Sequence, residues 1–212
     1  DPDSSSAGRL VAVVRVADIR GIDIDSDIPT TRSVPESQLG QRLLHRGSIL
    51  IEKSGGGAVT PVGRAVRCTA LRSEAVCSNF MANLECHATL LPSFLVYVFS
   101  ALYSCGVNEA HIQQTTGIQN LRLTHYLNTR IGIPEPLEQQ RIGEYLDTKC
   151  LLLARVVDAY SRSNGIDDSL LTMQARFLSE YRNSLIFECV SGRRRISATD
   201  IERVRDDVNS AS

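Results

Sequence analysis

The sequence contains no tryptophan, and aromatic residues make up only 5% of its 212 positions. A stacking platform for single-stranded nucleic acid needs a surface rich in rings, so that class of function is disfavoured. No apolar run approaches the roughly 20 residues that a membrane-spanning helix requires. The opening stretch DPDSSSAGRL lacks the basic and apolar regions of a secretory signal. Six cysteines are present, but none forms a C-x-x-C pair, and the four histidines (His45, His87, His111, His125) form no helical i, i+4 pair. Zinc sites show tighter ligand pairs than this, so the expectation is reduced thiols in a cytoplasmic chain without a metal. Catalytic signatures are missing as well. There is no G-x-S-x-G, no Cys–His nucleophile arrangement and no Asn/Asp-Pro-Pro-aromatic motif. The acidic DIRGIDIDSD lacks the glycine and glutamate of a calcium loop. LIEKSGGG places glycines after a strand, without the G-x-G-x-x-G or G-K-[ST] register of a nucleotide cradle.

Charge is nearly balanced, at −1 overall, which is not the footprint of a free-standing DNA binder. Its distribution says more than its sum. Four aspartates and one arginine lie between Asp18 and Asp27, whereas Arg42, Arg46, Lys53, Arg64, Arg67 and Arg72 face only Glu52 in the next stretch. Such a run is usually a solvated face, and it is also the one stretch suited to phosphates.

Residues 9–90 carry short β-branched runs: RLVAVVRV, SILIEKS, VGRAVRC and a weaker NFMANLEC. Turn signals, DSDIPTT and Gly55–Gly57, separate them. In LPSFLVYVFSALYSC the apolar period changes. Pro92 suits a first helical turn, and Phe94, Leu95, Val98 and Leu102 recur every three to four residues. This predicts a helix packed on the sheet, followed by a loop, a turn and a short strand. Two longer helices are then expected. Pro136 fits the first position of one, with Glu138 near its positive end, and Ser163–Gly165 would stop it. Asp168 or Ser169 would cap the second, which Gly192 and Arg193–Arg195 would close. Ile142, Leu146, Leu153, Leu171, Leu178 and Leu185 form the candidate seam of a coiled-coil-like spacer. The predicted class is α+β, with a mixed β-rich domain over 1–135, helices over 136–196 and a polar tail over 197–212. A strand-like run so soon after the first residue suggests that an N-terminal element is missing.

Several segments occur in an order that resembles a known family. TTGIQNLRL (Thr115 to Leu123), IGIPEPLEQQRIGEYLD (Ile131 to Asp147) and SEYRNSLIFECVSGRRRI (Ser179 to Ile196) are similar to stretches of the specificity (S) subunits of type I restriction–modification systems. Upstream, VVRVADI, GSILIEKSGGG, PVGRAV and VCSNFMANL match the usual run of a target recognition domain. The resemblance spans about residues 10–196 and rests on the ordered set, since each motif is short and degenerate. It implies a target recognition domain that reads part of a split DNA site, joined through Pro134 and Pro136 to a helix that sets the spacing between two such domains. A complete S subunit has two recognition domains and two conserved helices; this sequence has one of each, and a longer Leu146–Tyr181 stretch.

The resemblance also implies partners and roles. Double-stranded DNA, methyltransferase (M) subunits and a restriction (R) subunit would assemble around the chain, and a second copy would pair through the C-terminal helices. S-adenosylmethionine, ATP and Mg would sit on the partner subunits, with no cofactor and no catalytic group on this chain. Lys53, Ser54, the Gly55, Gly56 and Gly57 backbone and Arg64 are expected to hold phosphates. Asn79, Gln119 and Asn120, with Thr116 and Gly117 beside them, are expected at base edges or in backbone positioning. The alternative role for each is turn capping within its own loop. Three other readings stay open: a protein-interaction module with a helical dimerisation hairpin, an inactive truncated remnant, and a hydrolase, which lacks its nucleophile.

Overall fold

The run RLVAVV forms strand β1 (Arg9–Val14), and its two-residue alternation covers both faces. Ala12 and Val14 enter one apolar cluster, while Val11 and Val13 pack into another with Leu39 and Val76. β1 lies between the antiparallel β3 (Thr31–Val34) and the parallel β7 (Ala75–Cys77). A second sheet runs β2 (Asp23–Ser26), β6 (Ala65–Leu71), β4 (Ile49–Glu52), β8 (Met81–Leu84). Leu50, Val66, Cys68 and Met81 from this sheet join Ala12, Val14 and Ala75 from the first in one core. A third sheet orders β5 (Ser54–Gly55), β10 (Ile118–Leu121) and β9 (Ile112–Thr115). Single helical turns, α1 (Glu36–Leu39) and α3 (Leu123–Leu127), complete this part. The fold class is α+β.

In this computed structural model, residues 8–115, 117–162 and 168–210 are described. The chain divides into two compact units, one of Asp1–Ala88 with Cys105–Arg130, the other of Thr89–Ser104 with Ile131–Ser212. The aspartate-rich segment corrects one expectation: DSDIPTT is not simply a turn, because β2 ends and β3 begins inside it. Alternating aspartates depress the strand signal. Arg67 supplies the missing attraction, with Nε 2.7 Å from Asp23 Oδ1 and Nη2 3.0 Å from Oδ2, across the very pair that β2 and β6 align.

The second unit is helical. Helix α2 (Pro92–Ser104) begins at Pro92, but it packs with α4 (Pro136–Arg162) and α5 (Asp168–Val190) within this unit, not as the sheet-covering helix expected from its sequence. Its burial explains the difference. Residues Phe94 to Phe99 are all buried, so the helix has no polar face to leave in water. Gly143 lets α2 and α4 approach: a Cβ there would lie 2.9 Å from the Ser93 side chain. Gln139, buried at the start of α4, accepts from the Leu91 N–H at 2.9 Å and donates to the Thr89 and Pro134 carbonyls, each at 2.9 Å. Tyr97 Oη donates to Asp147 Oδ1 at 2.8 Å.

Two further corrections concern the chain's last third. Within the stretch expected as a polar tail over 197–212, Ala198–Ser210 instead forms helix α6, packed on α4. Ser197 and Asp200 make a reciprocal capping box: the Ser197 N–H donates to Asp200 Oδ2 at 2.9 Å, and the Asp200 N–H to Ser197 Oγ at 3.2 Å. Ile201 and Val204 are buried one turn apart, each stabilising by about 1.5–3 kcal/mol, and Lys149–Asp207 and Arg205–Glu144 ion pairs flank them. Asp168 is the first residue of α5 rather than its cap. The predicted stop at Ser163–Gly165 lies outside the described residues. The seam is divided: Ile142, Leu146 and Leu185 are buried, Leu153 and Leu178 half-buried, and the Leu171 side chain lies outside the described residues. Leu151, Val156, Met173, Phe177 and Tyr181 on α4 and α5 are exposed.

Candidate functional site

Strand β4 ends at Glu52, and the chain leaves it along Lys53 into β5. The N–H groups of Lys53 and Ser54 both donate to the Phe80 carbonyl, at 2.9 and 3.1 Å. The Lys53 carbonyl accepts from Leu121 at 2.8 Å. One short segment is thereby tied to the Asn79–Phe80 turn on one side and to the β9–β10 hairpin on the other. β10 continues the tie, with Asn120 opposite Ser54 and Gln119 opposite Gly55. Ser54 Oγ donates to Asn120 Oδ1 at 2.7 Å. Three stretches far apart in sequence, each singled out for DNA contact, therefore meet in the first unit.

The glycine loop is held tightly. Gln119 is buried, and its Oε1 accepts the Val62 N–H at 3.2 Å, while Asn108 Nδ2 donates to the Val62 carbonyl at 2.7 Å. Gly56, at φ 53°, sits so close that a Cβ would fall 2.8 Å from Val62 Cγ1 and 2.9 Å from Gln119 Oε1. Gly57 donates to the Thr60 carbonyl at 2.9 Å, making the turn that carries the exposed Val59. Gly117, at φ 85°, turns the exposed hairpin end, and Thr116 lies outside the described residues.

Besides Ser54 and Asn120, which bond each other, two candidates have internal partners. Arg64 Nε donates at 3.0 Å to Oε2 of Glu52, whose side chain is buried. Gln119 Oε1 is engaged by the Val62 N–H. Asn79 and Asn120 are exposed, and Lys53 and Ser54 are half-buried. Of the basic run, Arg64, Arg67 and Arg72 each pair with an acid of this chain: Glu52, Asp23 and Asp27. The sequence reading missed Asn108, whose role depends on its position beside Gly63 and Val62. It also missed a cleft of about 470 Å³ beside Lys53, to which Arg42, Ser78, Asn83 and Glu85 contribute. Only alternation along NFMANLEC could have hinted that Asn83 shares a strand with the buried Met81.

Burial pushes the Cys77 thiol above its ordinary range, and the nearby Arg42 and Lys53 charges pull the other way. Among the described residues, no three histidine, cysteine or acidic side chains gather as a metal site. No helix among them is long and apolar enough to cross a membrane.

No protein-family model matches the sequence, and no curated protein matches it. Among solved structures, it is similar to a chain of the type I R-M (restriction–modification) system, from work on its complex assembly and conformational transition. The TM-score is 0.51 at 18% identity, over 91% of this chain and 42% of that one. The fold is that of a type I restriction–modification chain. The HsdS subunit from Thermoanaerobacter tengcongensis is also similar, with a TM-score of 0.43 at 17% identity over 91% of this chain and 41% of that one. This chain spans about two-fifths of the length of the solved chains it matches.

Proposed function

We propose that the chain is the DNA sequence-specificity component of a type I restriction–modification complex. It binds part of a split target in double-stranded DNA and positions methyltransferase and restriction subunits, which carry S-adenosylmethionine, ATP and Mg. The observation that carries this reading is the convergence of Lys53–Gly57, Asn79–Phe80 and Gln119–Asn120 on one hydrogen-bonded edge, within the fold just described. Lys53, Ser54 and the Gly55–Gly57 backbone take the phosphate role, Asn79 the side facing the bases, and Asn120, bonded to Ser54, the positioning of the backbone. Gln119, Asn108 and Arg64 hold those groups in place. A net charge of −1 suits a component that relies on partner subunits for much of its electrostatic attraction to DNA.

Mapping methylated adenines in host DNA with and without the gene tests the proposal. A motif that disappears with the gene supports it; an unchanged methylation pattern overturns it. In gel shifts, sequence-specific retention should appear with the cognate methyltransferase subunit present and weaken steeply with salt.

A second copy of the chain is the partner that suits the helices. Leu151, Val156, Met173, Phe177 and Tyr181 leave an apolar surface on α4 and α5, and one copy matches only 42% of a related-fold chain. Phe177→Asp with Tyr181→Asp should halve the mass seen by light scattering. Leu185 is the wrong residue for this test, because it is buried in its own unit. An unchanged mass counts against the helical dimer.

A further inference from the structure

The groups that hold the glycine loop and the β9–β10 hairpin are mostly committed to one another, so they position the edge more than they discriminate. The cleft beside them differs. The residues lining it include Arg42, Lys53, Ser78, Asn79, Asn83 and Glu85. Two polar atoms of lining residues, Ser78 Oγ and Asn83 Oδ1, are buried without a hydrogen-bond partner. Buried polar atoms nearly always find partners, so an orphaned hydroxyl and an orphaned acceptor beside one recess mark polar capacity that the fold itself leaves unused. Arg42, Asn79 and Glu85 are exposed at the same recess.

The composition of the lining identifies the ligand class. A phosphate-holding surface needs donors and cations alone. Beside Cys77, Met81 and Ala82, this cleft mixes two cations with a carboxylate, two amides and a hydroxyl, so it offers acceptors as well as donors. Base edges in the major groove are the part of duplex DNA that displays both: acceptors at guanine N7 and O6, donors at cytosine N4, and one of each on adenine. Amides match adenine, a carboxylate matches cytosine, and arginine or lysine matches guanine. The basic run contributes here too. Arg64, Arg67 and Arg72 pair internally, while Arg42 and Lys53 line the cleft.

We infer that this cleft, formed around the Asn79–Phe80 turn and β8, is the base-reading site of the chain, with Arg42, Asn79, Asn83 and Glu85 as its specificity-determining residues. The inference rests on the DNA-reading function proposed above and locates that function in particular side chains. Lys53 sits at the boundary between the two jobs, with its backbone tied into the positioning edge and the residue lining the cleft.

The test is selection from a random-sequence duplex library by the full chain in complex with its methyltransferase subunit, comparing wild type with Arg42→Ala, Asn79→Ala, Glu85→Gln and Asn83→Ala. The first three change exposed side chains and leave the fold intact, so the test stands even if Asn83→Ala fails to fold. Each readable variant should relax the preference at one position of the enriched motif by about 5- to 150-fold, with the other positions unchanged. Uniform weakening with an unchanged motif and a shallower salt dependence would mean phosphate contact and overturn the inference. So would a motif identical to wild type in all the variants, while leaving the DNA-reading function intact. Failure of the wild-type complex to enrich any sequence would overturn that function, and this inference with it.

Discussion

Gln139 offers the sharpest test of how the start of helix α4 is held. Its amide makes three hydrogen bonds at 2.9 Å, all to backbone: it accepts from Leu91 and donates to Thr89 and Pro134. Gln139→Leu keeps most of the volume and removes all three. The Leu91 N–H loses its partner, costing about 1–3 kcal/mol, and each carbonyl loses a bond worth about 0.5–1.5 kcal/mol. The half-buried Leu91 regains some water, so the sum falls near 3 kcal/mol, or a drop in Tm of roughly 6–12 °C for a chain of this size. Thermal melts followed by helix dichroism measure the whole, and amide exchange at Leu91 measures the local part. Gln139→Glu adds a pH signature. Burial against two carbonyls disfavours the carboxylate, so its folded pKa rises above the unfolded value of about 4.3. Stability of that variant should fall as pH climbs from about 4.3 towards the folded value, then level off; below about 4.3 the protonated acid donates one of the lost bonds. A Gln139→Leu melt within about 1 °C of wild type, or a pH-independent difference between Gln139→Glu and wild type, would refute the reasoning.

Four other outcomes are expected. Gly56→Ala forces a Cβ to 2.8 Å from Val62 at φ 53°, and should destabilise the first unit by at least about 1–2 kcal/mol in urea titration. Ser197→Ala removes half of the α6 capping box and should cost about 1 kcal/mol, seen as lost helix signal. The same cap has a pH dependence: hydrogen bonds from Ser197 hold the Asp200 carboxyl below its usual range, so its contribution is present above about pH 3.9 and lost as pH falls through the depressed value. Burial pushes the Cys68 thiol up to about 12 and Cys189 to about 11, so a thiol reagent at neutral pH should modify the exposed Cys105 first and reach those two only on unfolding, as peptide mass mapping would show.

The α+β class, the strands of the β-branched runs, helix starts at Pro92 and Pro136, and the left-handed close at Gly192 were all legible in the sequence. Each depends on local physics: side-chain alternation, a proline ring that presets φ, a glycine that tolerates φ of 76°. Helix α6 was missed: Ser197, Asp200 and the Ile201–Val204 spacing are local signals, but its polar composition concealed them. Tertiary structure alone decided the rest. Strand β2 exists because Arg67, more than forty residues away, clasps Asp23. Helix α2 joins the helical unit because it is apolar all round and Gly143 admits it. The candidate site divided in the same way. Lys53, Asn79 and Asn120 could be chosen by residue type, but type does not separate a buried loop-holder such as Gln119 from an exposed group such as Asn79. That separation comes from burial and from which partner each polar atom meets, and neither is encoded by neighbours along the chain.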